Sequence, residues 1–469
     1  MLTYDVDVWT IRKRSGRPKP WELRWRVGER SHSRSYKLKP QADGRRSELM
    51  TALREGEQFD EESGLPAKEL AALSSPTWFE HATAYVLMKW PRHAAKHRAG
   101  IAEALAIVVP TLVTSTRGAP DRQVMRDALY QWAFRAVRQE SGELVPRHQA
   151  EEPPADIRAA LTWLAENSMK VNALEQPELL RPALDALSLL KNGKPAAENT
   201  ARRKRMVLSN FLRYTVEEKG LLSTNPLRRI DWTPPEVDDE IDFRWVPGPE
   251  LARSLIAAVR AIGPRGEHLE AFFGCLYYAA MRPAEAASLK EADCLLPPDD
   301  EESADEWGEL LLGESRPEVG GGWTDDGSSY DTRGLKRRAR GATRSVPIPP
   351  VLVRMLRAHI ARYGTASDGR LFRGANGGRV TSNEYCDLWD EARSKVLTKE
   401  EAATPLADVP YSARAAGVSL WIKAGVDPVE VARRAGHSIA VLFRFYAKIL
   451  RGNQSRSNQL IAKELEAES

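Results

Sequence analysis

The stretch that decides the fold is residues 410–450, which read PYSARAAGVSLWIKAGVDPVEVARRAGHSIAVLFRFYAKIL. This pattern predicts three short helices in succession. The first ends at Gly425, because glycine favours the left-handed conformation that closes many helices. Pro428 opens the second helix at its first turn, and Gly436 breaks it. Ser438 can cap the third, so the segment folds back on itself and can bring distant side chains together.

Four side chains of this segment are candidates for one reactive site: Tyr411, Arg414, His437 and Tyr446. Arg414 follows Tyr411 by three positions, so a helix places both on one face. Arginine presents a rigid fork of donors that suits a phosphate. A phenol with a pKa of about 10 needs activation before it can act as a nucleophile. Cationic donors around a phosphate can activate it and stabilise the transition state, so the set predicts attack of a tyrosine on a phosphodiester.

The segment resembles the C-terminal half of the catalytic domain of tyrosine recombinases, also called integrases. The resemblance rests on Tyr411-Ser-Ala-Arg414, on Gly436-His437 about 23 residues later, and on Tyr446 about nine residues beyond. It implies that Tyr446 forms a covalent 3′-phosphotyrosine with DNA and releases a 5′-hydroxyl. Because this exchange roughly conserves bond energy, no nucleotide cofactor is expected. With two positive side chains on the phosphate, no metal ion is expected either.

Four positions of this motif depart from the family pattern: Tyr411, Ser412, Ala413 and Ala415. Tyr411 stands where the family usually has histidine. A tyrosine can donate a hydrogen bond to phosphate, but it cannot serve as a base near neutral pH. Ala415 stands where many relatives carry a second histidine, so a hydrogen-bond donor beside the site is missing. The tyrosine is tolerated within the family and does not by itself imply an inactive enzyme, whereas Ala415 is expected to slow the reaction.

An earlier segment, AFFGCLYYAAMRPAEAASLKEAD at residues 271–293, carries a second set of candidates. An apolar helix is predicted to end near Met281, and Pro283 opens the next one. Taken alone, Arg282 and Glu285 indicate a helix start with an ion pair of about 0.3–0.5 kcal/mol. The resemblance instead implies that Arg282 directs its guanidinium to the phosphate and that Glu285 orients the site through hydrogen bonds.

The resemblance also implies a catalytic lysine on a hairpin just before a Val-Pro strand. Leu310–Leu312 and Arg344–Ile348 are predicted strands of a small antiparallel sheet. Lys336, the only lysine of this region, is the candidate for the general acid that protonates the leaving 5′-oxygen. Because hairpin register cannot be fixed from sequence, the alternative is that a neighbouring arginine holds the phosphate instead: Arg337, Arg338 or Arg340.

Residues 1–56 predict three strands packed on one helix, with alternation along Trp21–Val27 as the clearest signal. The polar positions are rich in cations, and the candidates for DNA binding are Arg12, Lys13, Arg14, Arg24 and Arg26. Cations interleaved with aromatic residues on a small sheet suit phosphate contact and groove insertion; a solvated sheet face is the alternative. This module resembles the arm-type DNA-binding domain of phage-type, notably actinobacterial, integrases. Residues 57–75 are expected to be a linker.

Residues 76–235 show helical periodicity, with helices predicted at 77–90, 94–109, 120–139, 155–168, 177–191 and 197–219. The last helix has a dense basic edge that is expected to contact phosphate, with a solvated helix face as the alternative: Arg202, Arg203, Lys204 and Arg205. This region resembles an all-α core-binding domain. Residues 236–245 are expected to be a second linker, and 246–469 a mixed α+β, mainly α, catalytic domain.

The composition of the chain limits these interpretations. The 469 residues are enough for several domains, and 42% apolar with 29% charged residues is ordinary for a globular protein. The formal net charge is only +4, so a nucleic-acid surface must come from local clustering. Three cysteines without metal-binding spacing suggest a reducing compartment. No apolar run reaches the ~20 residues of a membrane span, so no membrane partner is expected. From the cysteines, the heavy use of Ala and Arg and the resemblance, we expect a bacterial, cytoplasmic, nucleoid-associated protein.

Taken together, the resemblance implies a site-specific recombinase that integrates or excises a mobile element such as a phage genome. Its expected partners are double-stranded DNA at core and arm-type sites, three further copies of itself in a tetramer, and accessory DNA-bending or directionality proteins. One alternative is a relative that has lost the chemistry and only occupies DNA, for which Tyr411 and Ala415 are the evidence. The other is a type IB topoisomerase, against which the basic N-terminal module argues.

Overall fold

The computed structural model describes residues 1–190, 194–232, 242–335 and 341–444, and five residues of the tail, 458, 459, 462, 465 and 466. The protein is mixed α/β, about 52% helical, with small sheets. It divides into two compact units, residues 1–93 with 100–235, and residues 94–99 with 236–469. The finer division into three domains and two linkers stays a prediction.

The helices up to residue 217 are α1 (Lys39–Arg54), α2 (Ala67–Ser74), α3 (Trp78–Lys89), α4 (Ala95–Val108), α5 (Arg122–Asp127), α6 (Arg147–Ala150), α7 (Ala155–Asn167), α8 (Arg181–Leu187) and α9 (Glu198–Glu217). The strands of this part are β1 (Leu2–Thr3), β2 (Val6–Val8), β3 (Arg12–Lys13), β4 (Trp21–Val27), β5 (Arg30–Tyr36), β6 (Phe59–Asp60), β7 (Ala136–Arg138) and β8 (Leu144–Pro146).

The later helices are α10 (Pro249–Arg260), α11 (Pro264–Tyr278), α12 (Pro283–Ala286), α13 (Pro350–Tyr363), α14 (Ser382–Val396), α15 (Lys399–Ala402), α16 (Tyr411–Lys423) and α17 (Pro428–Ala435). The later strands are β9 (Cys294–Leu295), β10 (Gly308–Leu312), β11 (Glu314–Ser315), β12 (Arg333–Gly334) and β13 (Arg344–Ile348). A further helix begins at residue 439, and its described part reaches 444.

The N-terminal module is an antiparallel sheet covered by α1. β4 is its central strand, with β5 along one edge and both β2 and β3 along the other. The three predicted strands are therefore present, with the first one broken into two pieces. Leu23, Trp25 and Val27 face inward and pack against α1, as the alternation along β4 predicts.

The first part of the segment 57–75 lies against the N-terminal sheet. β6 pairs with β1, and Phe59 is fully buried in the core of the N-terminal sheet. Trp25 also donates from Nε1 to the carbonyl oxygen of Gly64 at 2.7 Å. An apolar anchor and a buried indole donor thus tie this segment to the sheet before α2 begins.

The region of residues 76–235 is largely helical, but it is not all-α. The helix predicted over 120–139 is wrong in its second half, where α5 ends at Asp127 and a π-helical stretch spans Ala128–Ala133. The chain then forms the antiparallel hairpin β7–β8. Its turn contains Gly142 in the left-handed region, at φ +84°, a conformation that glycine adopts without steric cost.

The second unit has α11 at its centre. Leu269, Phe272, Phe273 and Leu276 are all fully buried, as expected of the apolar second half of this helix. α10, α13 and α16 pack around it. The sheet beside this core has the strand order β13–β10–β9, all antiparallel, and its two predicted strands are confirmed.

Among the described residues, no helix combines the length and the hydrophobicity needed to span a bilayer.

Candidate active site

Arg282 and Glu285 lie at the start of α12, as predicted. Arg282 precedes a proline, which favours the extended backbone it adopts, with φ −75° and ψ 147°. Its backbone N–H donates to Oε2 of Glu285 and its Nη1 donates to Oε1, both at 2.9 Å. Glu285 is only 2% exposed, so this is a buried pair and not the surface pair that sequence alone favours.

A third residue of the cluster, Arg344, was missed from the sequence. It begins β13 and donates from Nη1 and Nη2 to the two oxygens of Glu285, at 3.2 and 2.8 Å. The signal that could have found it is alternation, since Arg344 shares the inward face of β13 with Val346 and Ile348. A cation at an inward strand position needs a buried acceptor.

The carboxylate of Glu285 orients its neighbours and cannot act as a base. Burial raises its pKa, but the guanidinium groups of Arg344, Arg414 and Arg282 outweigh burial and bring the pKa to about 2. Each oxygen accepts one hydrogen bond from Arg282 and one from Arg344. These four bonds fill the acceptor positions of a carboxylate.

Arg414 lies on the first turn of α16 and is 1% exposed. Its Nη1 donates to the carbonyl oxygen of Ala280, and its Nη2 donates to that of Ala435 at 2.6 Å. Ala280 has φ +46°, a left-handed conformation that costs a residue with a side chain about 1–2 kcal/mol. The strained residue thus directs its carbonyl oxygen at the buried guanidinium.

Gly417 explains why α16 can come so close to α11. A Cβ atom at this position would overlap the backbone carbonyl oxygen of Tyr277. Gly417 lies one helical turn after Arg414, so the close approach of the two helices also sets the depth of the guanidinium. Only glycine permits this contact.

His437 follows the left-handed Gly436 that ends α17, and its backbone N–H donates to the carbonyl oxygen of Ala432 at 2.9 Å. This backbone hydrogen bond places the imidazole of His437 beside Arg414. The distance from Nη2 of Arg414 to Nε2 of His437 is 2.9 Å. Because a guanidinium only donates, Nε2 accepts and the ring proton is assigned to Nδ1. Burial, followed by repulsion from Arg414, Arg282 and Arg344, lowers the pKa of His437 to about 3. The imidazole is therefore neutral near neutral pH.

Tyr411 lies at the rim of the cluster. It is 44% exposed, and the centroid of its ring is 5.8 Å from Cζ of Arg414, within the range of a cation–π contact. Its ring thus covers part of a guanidinium that is otherwise enclosed by protein.

The structure brings together five of the predicted site residues: Arg282, Glu285, Tyr411, Arg414 and His437. The other two, Lys336 and Tyr446, lie outside the described residues, as do the alternatives to the lysine, Arg337, Arg338 and Arg340. Along the chain, the nearest described buried residues before Lys336 and Tyr446 are Leu335 and Leu442. Both belong to the core of the second unit.

The cluster has the electrostatics of an anion site. The guanidinium groups of Arg282, Arg344 and Arg414 and the single carboxylate of Glu285 leave it with a net charge of +2. Arg282 is the most accessible of the three arginines, with 22% of its side chain exposed. In the described part of the chain no group of three or more His, Cys, Asp or Glu side chains could hold a metal ion.

The basic candidates of the N-terminal sheet divide into two groups. Arg12 and Arg14 both contact Glu22, at 2.5 and 2.9 Å, and Arg26 contacts Asp5 and Asp7. Arg24 and Lys13 instead lie over aromatic rings, those of Trp9 at 5.1 Å and Trp21 at 5.6 Å. The second group combines a cation with an aromatic face and is less neutralised by nearby carboxylates.

The basic edge of α9 is less exposed than its sequence suggests. Lys204 is 3% exposed and lies 3.7 Å from Glu103, and Arg205 lies over the ring of Trp232 at 4.3 Å. Arg203 is exposed and 3.4 Å from the same Glu103. Arg202 is also exposed. Four consecutive residues cannot share one face of a helix, so Lys204 falls on the buried side.

No protein-family model matches the chain, and no curated protein does. Several solved structures are similar to it, among them the following three. The Tn1549 transposon integrase in complex with a circular intermediate DNA has 15% identity and a TM-score of 0.44, over 66% of this chain and 96% of that one. The XerH site-specific recombinase bound to a palindromic difH substrate has 12% identity and a TM-score of 0.42, over 78% of this chain and 96% of that one. A lambda integrase dimer bound to a COC′ core site has 11% identity and a TM-score of 0.42, over 91% of each chain. The structural neighbours of the chain are thus tyrosine recombinases and integrases, the class of protein that the motifs of residues 410–450 resemble.

Proposed function

We propose that the protein is a site-specific DNA recombinase of the tyrosine recombinase family, which cleaves and rejoins double-stranded DNA through a covalent 3′-phosphotyrosine. The observation that carries this proposal is the convergence of Arg282, Glu285, Arg414 and His437 on one buried cationic cluster. These residues come from separate segments of the chain, and all four were selected from sequence motifs that predict phosphate chemistry.

Arg282 is the principal phosphate ligand in this proposal. It uses two of its five N–H donors within the described part of the chain, one to Glu285 and one to the carbonyl oxygen of Gly436. The remaining donors can bind the non-bridging oxygens of a phosphodiester. Arg414 is almost fully enclosed and acts mainly as a buried charge that also orients His437.

His437 contributes a neutral hydrogen-bond donor. Its Nε2 accepts from Arg414, so the donor of the ring is Nδ1–H. Because its pKa is lowered to about 3 by burial and nearby arginines, it neither adds charge nor takes up a proton near neutral pH. Together with the guanidinium donors it stabilises the charge that develops on the phosphate in the transition state.

The chemical step is a transesterification. The phenol oxygen of Tyr446 forms a bond to phosphorus, the bond to the 5′-oxygen breaks, and Lys336 donates a proton to the departing oxygen. The phenol proton passes to water or to a phosphate oxygen, since the acceptor positions of Glu285 are filled and Tyr411 is not a base. Attack by the 5′-hydroxyl of another strand reverses the step and rejoins the DNA.

We further propose that the substrate is the attachment DNA of a mobile element and that four copies of the chain assemble on two duplexes. Residues 1–56 would bind arm-type sites, and residues 76–235 would hold the core site. In the N-terminal sheet, Arg24 and Lys13 are the favoured phosphate contacts because they lie over aromatic rings. Accessory DNA-bending or directionality proteins would complete the assembly.

The test is trapping of a covalent protein–DNA adduct on nicked duplexes taken from the DNA that flanks the gene. A nick beside the scissile phosphate releases a short strand, so religation is prevented. Wild type is expected to give an adduct that survives denaturing gel electrophoresis, and Tyr446→Phe is expected to give none. Equal adduct from both proteins would contradict the assignment of the nucleophile.

The second candidate function is that of a relative that binds DNA and does not cleave it. The filled acceptor positions of the Glu285 carboxylate favour it. Near neutral pH neither Glu285 nor His437 takes up the phenol proton, because nearby arginines lower the pKa of Glu285 to about 2, and burial together with those arginines lowers that of His437 to about 3. Specific binding of the duplex by wild type with no adduct on any nicked version would support this alternative. Relaxation of a plasmid that lacks the attachment site would instead support a type IB topoisomerase.

A further inference from the structure

Arg344 is buried, charged and outside every motif that led to the site. It is 2% exposed, and both of its Nη atoms donate to the carboxylate of Glu285. Its strand, β13, pairs with β10 in a register that sets Arg344 opposite Leu312. The rigid strand therefore delivers the guanidinium to a fixed point beside the start of α12.

The carboxylate of Glu285 is shared between two arginines. Arg282 donates to it from its backbone and from Nη1, whereas Arg344 binds it side-on through both oxygens. A single negative charge cannot neutralise both guanidinium groups. Arg344 is the more buried partner. It therefore balances the negative charge of the carboxylate in the interior, and the positive charge of Arg282 remains available on the accessible side.

Arg344 also contacts the loop that carries His437. A Cβ atom at Gly436 would overlap Nη1 of Arg344, so the glycine backbone packs directly on the guanidinium. The carbonyl oxygen of the same glycine accepts from Nη2 of Arg282 at 3.1 Å. Arg344 thus touches both the residue that holds Arg282 and the loop that places His437.

We propose that Arg344 is a positioning residue for strand cleavage: it neutralises Glu285 and so leaves the guanidinium of Arg282 available to the phosphate. This inference rests on the proposed function. Without Arg344, the side chain of Arg282 alone would bind the carboxylate, and the net charge of the cluster would fall from +2 to +1. The site would keep its fold and lose much of its attraction for the anion.

The experiment compares rates of adduct formation on nicked attachment DNA for wild type, Arg344→Met, Glu285→Gln and the double variant. Arg344→Met removes the charge and keeps an unbranched chain, and we expect it to slow the reaction about a hundredfold. The double variant replaces the uncompensated carboxylate by a neutral amide. We expect it to react at least about tenfold faster than Arg344→Met alone, a gain that a merely structural role for Arg344 would not produce.

Two further variants complete the test. Arg344→Lys keeps the charge but loses the two-point geometry, so its rate is expected to lie between those of wild type and Arg344→Met. The matched control is Arg370→Met, because Arg370 is also buried and its Nε contacts both oxygens of a carboxylate, that of Asp368. The control is expected to lower thermal stability while the rate stays near that of wild type.

The outcomes separate the two proposals. If wild type forms no adduct, the proposed function fails. If wild type reacts and Arg344→Met reacts equally fast, or the double variant is no faster than Arg344→Met, the positioning role of Arg344 is overturned while the proposed function stands.

Discussion

At the scale of single residues, the site depends on a few positions where backbone conformation and side-chain charge meet. Gly436 is the clearest of them, since it ends α17 at φ +62° and packs on Arg344. Ala280 holds a left-handed conformation and gives its carbonyl oxygen to Arg414. Strained or glycine-dependent positions of this kind often accompany functional sites, and here they fix the arginines.

We expect Gly436→Ala to destabilise the protein by more than its backbone conformation alone would cost. The left-handed backbone accounts for about 1–2 kcal/mol, and the new methyl group must also displace Arg344 from Glu285. The control is Gly220→Ala, because Gly220 follows α9 with a similar φ of +61° and has no atom within 4 Å of the added carbon. Equal losses in free energy of unfolding for the two variants, measured in urea, would argue against the contact with Arg344.

Arg282 with Glu285, and Arg414 with Tyr411, were selected from motifs whose members lie three positions apart, and His437 from the Gly-His pair that follows Arg414 in the family pattern. Arg344 was missed because its partner is 59 positions away, and only the strand pairing brings the two together. Lys204 shows the opposite error, since it was predicted to contact phosphate and lies on the buried side of α9. A run of four cations does not indicate which of them faces inward. Local patterns specify local geometry, whereas burial of a charge depends on the whole fold.

At the scale of secondary-structure elements, the helices and strands that carry the site follow from their sequence. α16 ends shortly before Gly425, α17 begins at Pro428 and ends before Gly436, and β10 and β13 form the expected antiparallel pair. The hairpin β7–β8 was not predicted, because its short strands interrupt a stretch of helical periodicity. The pairing of β6 with β1 was not predicted either, since two-residue strands leave no period to detect.

The packing of α16 on α11 gives a prediction at this scale. In Gly417→Ala the added carbon would meet the carbonyl oxygen of Tyr277, a backbone atom that cannot move without shifting α11. We expect a loss of at least about 1–3 kcal/mol in the free energy of unfolding, together with slower adduct formation because Arg414 moves. Gly44→Ala, in the exposed part of α1 with no atom near the added carbon, should instead stabilise by about 0.5–1 kcal/mol. An unchanged melting temperature for Gly417→Ala would contradict the close helix contact.

At the scale of the whole molecule, each unit buries histidines that must stay neutral. Burial, with a smaller contribution from Lys219, lowers the pKa of His81 in the first unit to about 4. In the second unit, burial and then Arg265, His359 and Arg373 lower the pKa of His268 to about 3, and His437 has the same value. These depressed values link the stability of both units to pH.

We expect stability to fall as the pH drops below about 6.5, the ordinary histidine value. Below that pH the unfolded chain binds protons that the folded protein excludes until about pH 3–4, so protonation favours unfolding; above it the contribution is fully present. His268→Phe should flatten this slope, because the ring is stacked on Tyr363 at 4.8 Å and a phenyl group fits the same aromatic cluster. Melting temperatures between pH 4 and 8 test this, and identical slopes for the two proteins would contradict it.

The most direct test of the central claim is to identify the residue that becomes joined to DNA. The adduct trapped on a nicked attachment site is digested with protease and nuclease, and the modified peptide is sequenced by mass spectrometry. We predict a nucleotide phosphate on Tyr446. The phosphate on Tyr411, the other tyrosine of the candidate site and the one that lies against Arg414, or on a residue elsewhere in the chain, would contradict the account.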